Sequence, residues 1–321
     1  MRRLETSFAG LKLKNPFIVS SSGLTSTPEK NKKWEDAGAS AVVLKSLFQE
    51  EIEEESLCMQ HGMHSEEMDY LLQFNRGHRL NEYIRLITET KERCTIPVIA
   101  SINCFQSTEW TNFARHICEA GADALELNIM GICGELEYRY GDYEYAHIEV
   151  LRQVRKVTNI PVIVKLGSRF TNVVPLVHQL VANGASGVVL FNRMVALDID
   201  IDSKTYVPGY AWRKMDFSEV LRWTGLVSSS IPSAQIAASG GVEDGKTLIK
   251  ALLAGASAVE VCSSLYRNGA GVISEMLHTL ETWMRKNGYA CIDDFKGLMN
   301  ADNTTANEFE RTQFYRLFSK K

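Results

Sequence analysis

Lys165 stands one place from the end of Val162-Ile163-Val164-Lys165-Leu166, an apolar run that follows Pro161. A charge inside such a run is costly unless it is paired or put to use. The residues alone leave three readings open. Lys165 is a structural partner of a carboxylate such as Glu126, an imine-forming amine for a carbonyl substrate, or a fixed positive charge beside a cofactor ring that gains negative charge on reduction. Small residues close two further runs, at Ser239-Gly240-Gly241 and at Cys262-Ser263-Ser264. Neighbouring parallel strands that turn on Gly and Ser offer backbone N–H groups suited to phosphate. Asn128 and Asn192 end two more runs, as loop caps or as readers of a planar polar ligand. Lys45-Ser46, Ser101 and Asn103 close others. The residues at the run ends include no carboxylate cluster and no His. That argues against a two-carboxylate glycosidase and a His-bound metal hydrolase.

Eight apolar runs must carry these residues: 16–20, 41–44, 97–102, 124–129, 161–166, 187–192, 235–239 and 258–262. They are continuous rather than alternating, as strands covered on both faces should be. Helix-length segments separate them. Gly-Ala pairs at 38–39, 121–122, 184–185 and 255–256 mark where helices stop. The expected fold is a single (β/α)8 TIM barrel over 1–321, with chemistry at the carboxyl ends of the strands. It carries an N-terminal hairpin over 4–15 and insertions after strands two, four and six. Residues 48–80 read as an irregular, acidic insertion before a helix over 80–93. A hairpin lies within 195–215, and residues 292–320 read as a mostly helical tail. The rival, a doubly wound open sheet, wants GxGxxG spacing after its first strand, and Ser20-Ser21-Ser22-Gly23 lacks it.

The composition is that of an ordinary globular chain, 45% hydrophobic and 23% charged over 321 residues. A net charge of −4 gives no electrostatic case for nucleic acid or an acidic membrane. No apolar run approaches the ~18 residues of a membrane span, and the first residues lack a signal peptide's apolar core. Seven Cys without a CxxC pair read as reduced thiols of a cytoplasmic protein, with no metal site.

The chain resembles the dihydroorotate dehydrogenases, FMN-containing (β/α)8 barrels of pyrimidine biosynthesis. The resemblance rests on Gly10-Leu11-Lys12-Leu13-Lys14-Asn15-Pro16-Phe17, Ser20-Ser21-Ser22-Gly23, Lys45-Ser46, Glu126-Leu127-Asn128-Ile129, Val164-Lys165-Leu166, Phe191-Asn192, Ser239-Gly240-Gly241-Val242 and Ala254 to Val259. It implies FMN, with the phosphate on the N–H groups of Gly240, Gly241, Ser263 and Ser264 beside Ser239. Lys165 would face the N1/O2 edge of the ring. Ser21, Ser22, Gly23, Lys45, Ser46 and Asn128 would line the rest of the cofactor. Lys45, Asn75, Asn128 and Asn192 would hold the substrate.

The chain departs from the family in four places. Gly131 stands where soluble members place a Cys base, and Cys133 where they place a substrate Asn. Arg193 replaces a Ser or Thr, and Gln73-Phe74-Asn75-Arg76 only loosely matches the family's Asn segment. Lys165 and Cys133 are therefore the candidate catalytic residues, with Glu135 a further candidate base. The resemblance implies an oxidoreductase acting on dihydroorotate or a related cyclic compound. The alternatives are an FMN-binding member without dehydrogenase activity and a Schiff-base lyase or aldolase built on Lys165. The expected partners are a small-molecule substrate and, by resemblance, a second copy of the chain. The family's electron acceptors are fumarate, NAD through an iron–sulfur electron-transfer subunit, and quinone. Quinone is the least expected, because no amphipathic N-terminal extension is seen.

Overall fold

The structure, a computed structural model, describes residues 4–51, 65–104, 107–131, 136–193, 197–209, 216–300, 312 and 315, with backbone alone at 65–76 and 107–108. In chain order the elements are β1 (Thr6–Phe8), β2 (Leu11–Leu13), β3 (Phe17–Val19), α1 (Pro28–Asp36), β4 (Ala41–Val43), β5 (Leu47–Phe48), α2 (Ser65–Arg93), β6 (Val98–Asn103) and α3 (Ser107–Glu119). There follow β7 (Ala124–Asn128), α4 (Asp142–Val157), β8 (Val162–Leu166), α5 (Val173–Ala182), β9 (Gly187–Leu190), β10 (Leu197–Asp200) and β11 (Thr205–Pro208). The chain goes on through α6 (Ser218–Ser230), β12 (Ile236–Ser239), α7 (Gly245–Leu253), β13 (Ala258–Val261), α8 (Ser263–Asn268) and α9 (Gly271–Asn287).

The main sheet runs β4-β3-β13-β12-β9-β8-β7-β6-β5, and a further pairing of β4 with β6 closes it. All of its pairings are parallel. The two-residue β5 is an addition at the rim, which leaves a closed eight-stranded (β/α)8 barrel. Local chemistry sets the helix ends. Thr27 caps α1 by accepting from Lys30 N, with Pro28 in the first turn. Asp244 and Thr247 form a capping box on α7. Gly38, Gly121, Gly184 and Gly255 follow α1, α3, α5 and α7 with φ between +86° and +111°. This left-handed turn is what the Gly-Ala pairs encode.

Side chains alternate along each strand, so each strand has one face toward the barrel axis. The inward residues Ile18, Ala41, Val43, Ile99, Ala124, Ile163, Val189, Ala237 and Ala258 form a wholly apolar layer. The β1–β2 hairpin closes it from below with Phe8, Ala9 and Leu13. A Cβ at Gly187 would meet the Phe8 ring at 2.9 Å, so the plug needs glycine there. The outward residues pack under the helices in the larger core cluster.

Two expectations change. The segment 65–79 is helical, because α2 begins at Ser65 rather than near residue 80. The acidic start and Gly77 within the segment hide that helix in the sequence. Residues 292–300 form a 3-10 turn followed by turns rather than a helix, and most of the tail beyond lies outside the described residues. The hairpin in the sixth connection is present as β10–β11, paired antiparallel.

Candidate functional site

Two residues beyond the apolar layer, the same inward faces turn polar. Ile18 is followed by Ser20, Ile99 by Ser101, Ala124 by Glu126, Ile163 by Lys165, Ala237 by Ser239 and Ala258 by Glu260. All six are buried, at most 7% exposed. Lys165 Nζ donates to Glu260 Oε2 at 2.7 Å and to Ser20 Oγ at 2.9 Å, and lies 3.4 Å from Glu126 Oε1. Ser20 Oγ in turn donates to Glu260 Oε2 at 3.0 Å. Burial works against the Lys165 charge, but Glu126 and Glu260 outweigh it and raise its pKa above the usual lysine value. Burial and then the charge of Glu260 push the Glu126 carboxyl well above the carboxylate range, with Lys165 opposing. An imine-forming lysine must lose its proton, and these partners keep it on.

The expectation that no carboxylate cluster stands here is therefore corrected. Glu126 and Glu260 form one with Lys165 at its centre. Counting only strand ends missed it, since both glutamates sit lower, on the inward face. Glu260 was legible as a charge in the apolar run Ala258-Val259-Glu260-Val261, the same anomaly that singled out Lys165.

Above this layer opens a cavity of about 230 Å³ whose wall includes Lys165, Glu260, Gly240, Gly241, Ser263 and Asn192. Gly240 and Gly241 follow β12 with φ of +90° and +73°. Both line the cavity, where the backbone N–H groups of a turn can meet an anion. A Cβ at Gly241 would also lie 3.0 Å from Phe217 Cα. Ser263 opens α8 after the neighbouring strand β13 and lines the same cavity. Ser21, Ser239, Arg193 and Cys262 complete much of the rim, with burial raising the pKa of the Cys262 thiol. A glycine turn, a helix start and a fixed ammonium on one cavity suit an anionic ligand.

The remaining expected residues are dispersed. Ser22 caps a 3-10 turn at Gly23–Thr25 through Leu24 N. Ser264 is fully buried and donates to Glu243 O at 3.0 Å. Lys45 points to Glu51, at 2.5 Å, in a second cavity of about 300 Å³ that Ser46 also lines. Asn192 Nδ2 donates to Asn128 Oδ1 at 2.5 Å, so the two amides answer each other. Gly131 N donates to the Tyr143 hydroxyl at 3.1 Å. Cys133 and Glu135 lie outside the described residues, as does the side chain of Asn75. Sequence reasoning left Ser20, Glu260 and Cys262 out of the site.

A closed α/β barrel whose strand ends gather a glycine turn, a helix start and a buried lysine around one cavity has the arrangement of a barrel enzyme. The family described as dihydroorotate dehydrogenase matches the chain over residues 3–284. The chain belongs to that family, and is an oxidoreductase of it. It is 27% identical over 312 residues to the catalytic subunit of dihydroorotate dehydrogenase B (NAD(+)) from Thermoplasma volcanium, covering 93% of this chain and 99% of that one. The corresponding subunit of Pyrococcus abyssi is 29% identical over 308 residues, covering 92% and 98%. The NAD-dependent dihydropyrimidine dehydrogenase subunit PreA of Escherichia coli is 24% identical over 331 residues, covering 96% and 80%. Among the described residues no helix is long and apolar enough to cross a membrane.

Proposed function

We propose that the chain is one FMN-binding barrel that oxidises dihydroorotate or a closely related dihydropyrimidine ring. The observation that carries this reading is the shared wall: Lys165, Gly240, Gly241 and Ser263 line one cavity at the strand ends. Gly240, Gly241 and Ser263 would hold the phosphate by main-chain N–H groups. Lys165 would set its ammonium against the ring. FMN, when bound, supplies a hydride acceptor. Asn128 ends β7 and Asn192 follows β9, on either side of β8, and they would turn their amides from each other to the substrate's ring amides. Lys45 would leave Glu51 to meet a substrate carboxylate. The E. coli relative's name extends the substrate class from dihydroorotate to other dihydropyrimidines.

The test is anaerobic addition of dihydroorotate, and separately of dihydrouracil, to the yellow protein. Bleaching of the flavin band by either identifies the substrate. A flavin that stays oxidised with both removes this substrate class and leaves FMN binding standing. That outcome is the second reading, a flavin-binding member without dehydrogenation. It is favoured by Gly131, which brings no side chain to the place where the family resemblance calls for a base.

A further inference from the structure

Three buried ionisable side chains meet inside the barrel: Glu126 is 0% exposed, Glu260 1% and Lys165 4%. One ammonium compensates one carboxylate, and a second buried anion would stand uncompensated at large cost. Glu126 Oε2 and Glu260 Oε1 are both fully buried and have no hydrogen-bond partner among the described residues. Both carboxyls lie against the same ammonium, with Glu260 Oε2 at 2.7 Å and Glu126 Oε1 at 3.4 Å from Lys165 Nζ. A single proton answers both facts. It makes one carboxyl a donor to the other, and it brings the three groups to zero net charge.

We propose that Glu126 and Glu260 hold one proton between them across the Lys165 ammonium, and that Ser101, Ser46 and Ser21 connect this proton to the cavity. The connection is continuous. Ser101 Oγ lies 3.4 Å from Glu126 Oε1 and 2.8 Å from Ser46 Oγ, and Ser46 Oγ lies 3.0 Å from Ser21 Oγ, which lines the cavity. Hydroxyls both give and accept a proton, so such a chain can pass one along. The groups facing the cluster are Lys165 from β8, Glu126 from β7, Glu260 and Cys262 from the β13 strand and its end, Ser20 after β3, and Tyr83 from α2. Tyr83 accepts from Ser101 N at 2.7 Å and donates to Ser101 O at 2.9 Å. Lys165 is the cation in contact with both carboxyls, and Arg193 lines the cavity above. The raised pKa of Glu126 agrees with this arrangement.

The use of this proton rests on the flavin reading. A neutral cluster beneath the ring-facing ammonium can adjust its charge as charge builds on the ring, by proton movement along the serines. Glu260 is then a positioning residue that acts through Lys165.

The experiment is infrared spectroscopy of the whole protein at neutral pH, in H2O and D2O, on wild type, Glu126→Gln and Glu260→Gln. Wild type should show the carbonyl stretch of one buried un-ionised carboxyl, shifted in D2O. Each Gln variant should lose that band, because the remaining carboxyl then pairs alone with Lys165. A wild type without the band overturns the proposal. So does a band that survives in both variants, since it then arises elsewhere. In the holoenzyme, the flavin reduction potential of wild type should steepen its fall with pH once the shared proton is lost, and Glu260→Gln should remove that break. Identical profiles overturn the proposal. A protein that shows the band but takes up no FMN sinks the flavin reading alone. A yellow protein without the band sinks the shared proton alone.

Discussion

The polar groups at the strand ends form two sets built differently, a fixed wall and an adjustable one. In the fixed set, at the ends of β8, β12 and β13, Lys165 is locked between Glu126 and Glu260, and Gly240 and Gly241 are held in a turn that a side chain would strain. In the adjustable set, after β4, β7 and β9, the polar groups answer one another: Lys45 pairs with Glu51 in the second cavity, and Asn192 with Asn128. The first wall is preorganised for a resident ligand, and its geometry costs nothing at the moment of binding. The second is satisfied without a substrate, and a substrate must replace its internal pairs with better ones. A cofactor that stays and a substrate that comes and goes would be served by this division.

Four changes break or sharpen the contrast. Lys165→Ala should have the largest effect, since it leaves two buried carboxyls without a cation. Breaking such a cluster costs about 3–5 kcal/mol, to be read by denaturant unfolding along with loss of flavin reduction. A loss under ~1 kcal/mol, the range of an exposed pair, would show that the fixed wall is not fixed. Gly241→Ala comes next. With φ of +73° and Phe217 Cα 3.0 Å from the added Cβ, it should cost about 1–3 kcal/mol and weaken FMN binding, measured by flavin fluorescence.

Third is the pH dependence of stability. The raised pKa of Glu126 means that the folded chain binds more protons than the unfolded one above the ordinary Glu value of about 4.3. Its contribution is thus lost as pH rises from there toward the raised value, and Glu126→Gln should flatten that limb of an unfolding series. Glu35, outside the site, gives the opposite sign. Burial would raise its pKa, but the Thr95 hydroxyl, Lys32 and Thr95 N–H together lower it to about 2. Its contribution is present above the unfolded value and lost as pH falls toward about 2, so Glu35→Gln should make the acid limb shallower. The smallest effect belongs to the adjustable wall. The Lys45–Glu51 pair is 38% and 42% exposed, so Glu51→Gln should change stability by under ~1 kcal/mol. It should nevertheless lower KM for an anionic substrate, while Lys45→Ala raises it.

The fixed wall was the legible one. Lys165 announced itself as a charge in an apolar run, and the paired glycines as a turn at a strand end. Both are backbone or burial facts, which pattern records. Glu260 carried the same signal as Lys165 and was passed over, because strand ends were counted without the inward residues two places below. The barrel followed from its apolar runs and Gly-Ala stops. The helix over 65–79 did not, since acidic residues and Gly77 mask its period. The adjustable wall was hardest to read. Whether Lys45 turns to Glu51 or to the cavity is a choice of side-chain conformation, and Asn128 finds Asn192 only once β7 and β9 are folded. No local pattern encodes either.

The most direct measurement is a titration of the flavin-stripped protein with FMN and, in parallel, with riboflavin, which has the same ring without the phosphate. A main-chain cradle at Gly240, Gly241 and Ser263 predicts stoichiometric FMN binding and riboflavin weaker by roughly 100-fold, the worth of a few charge-assisted hydrogen bonds. Equal affinity for the two, or no binding of either, would contradict it.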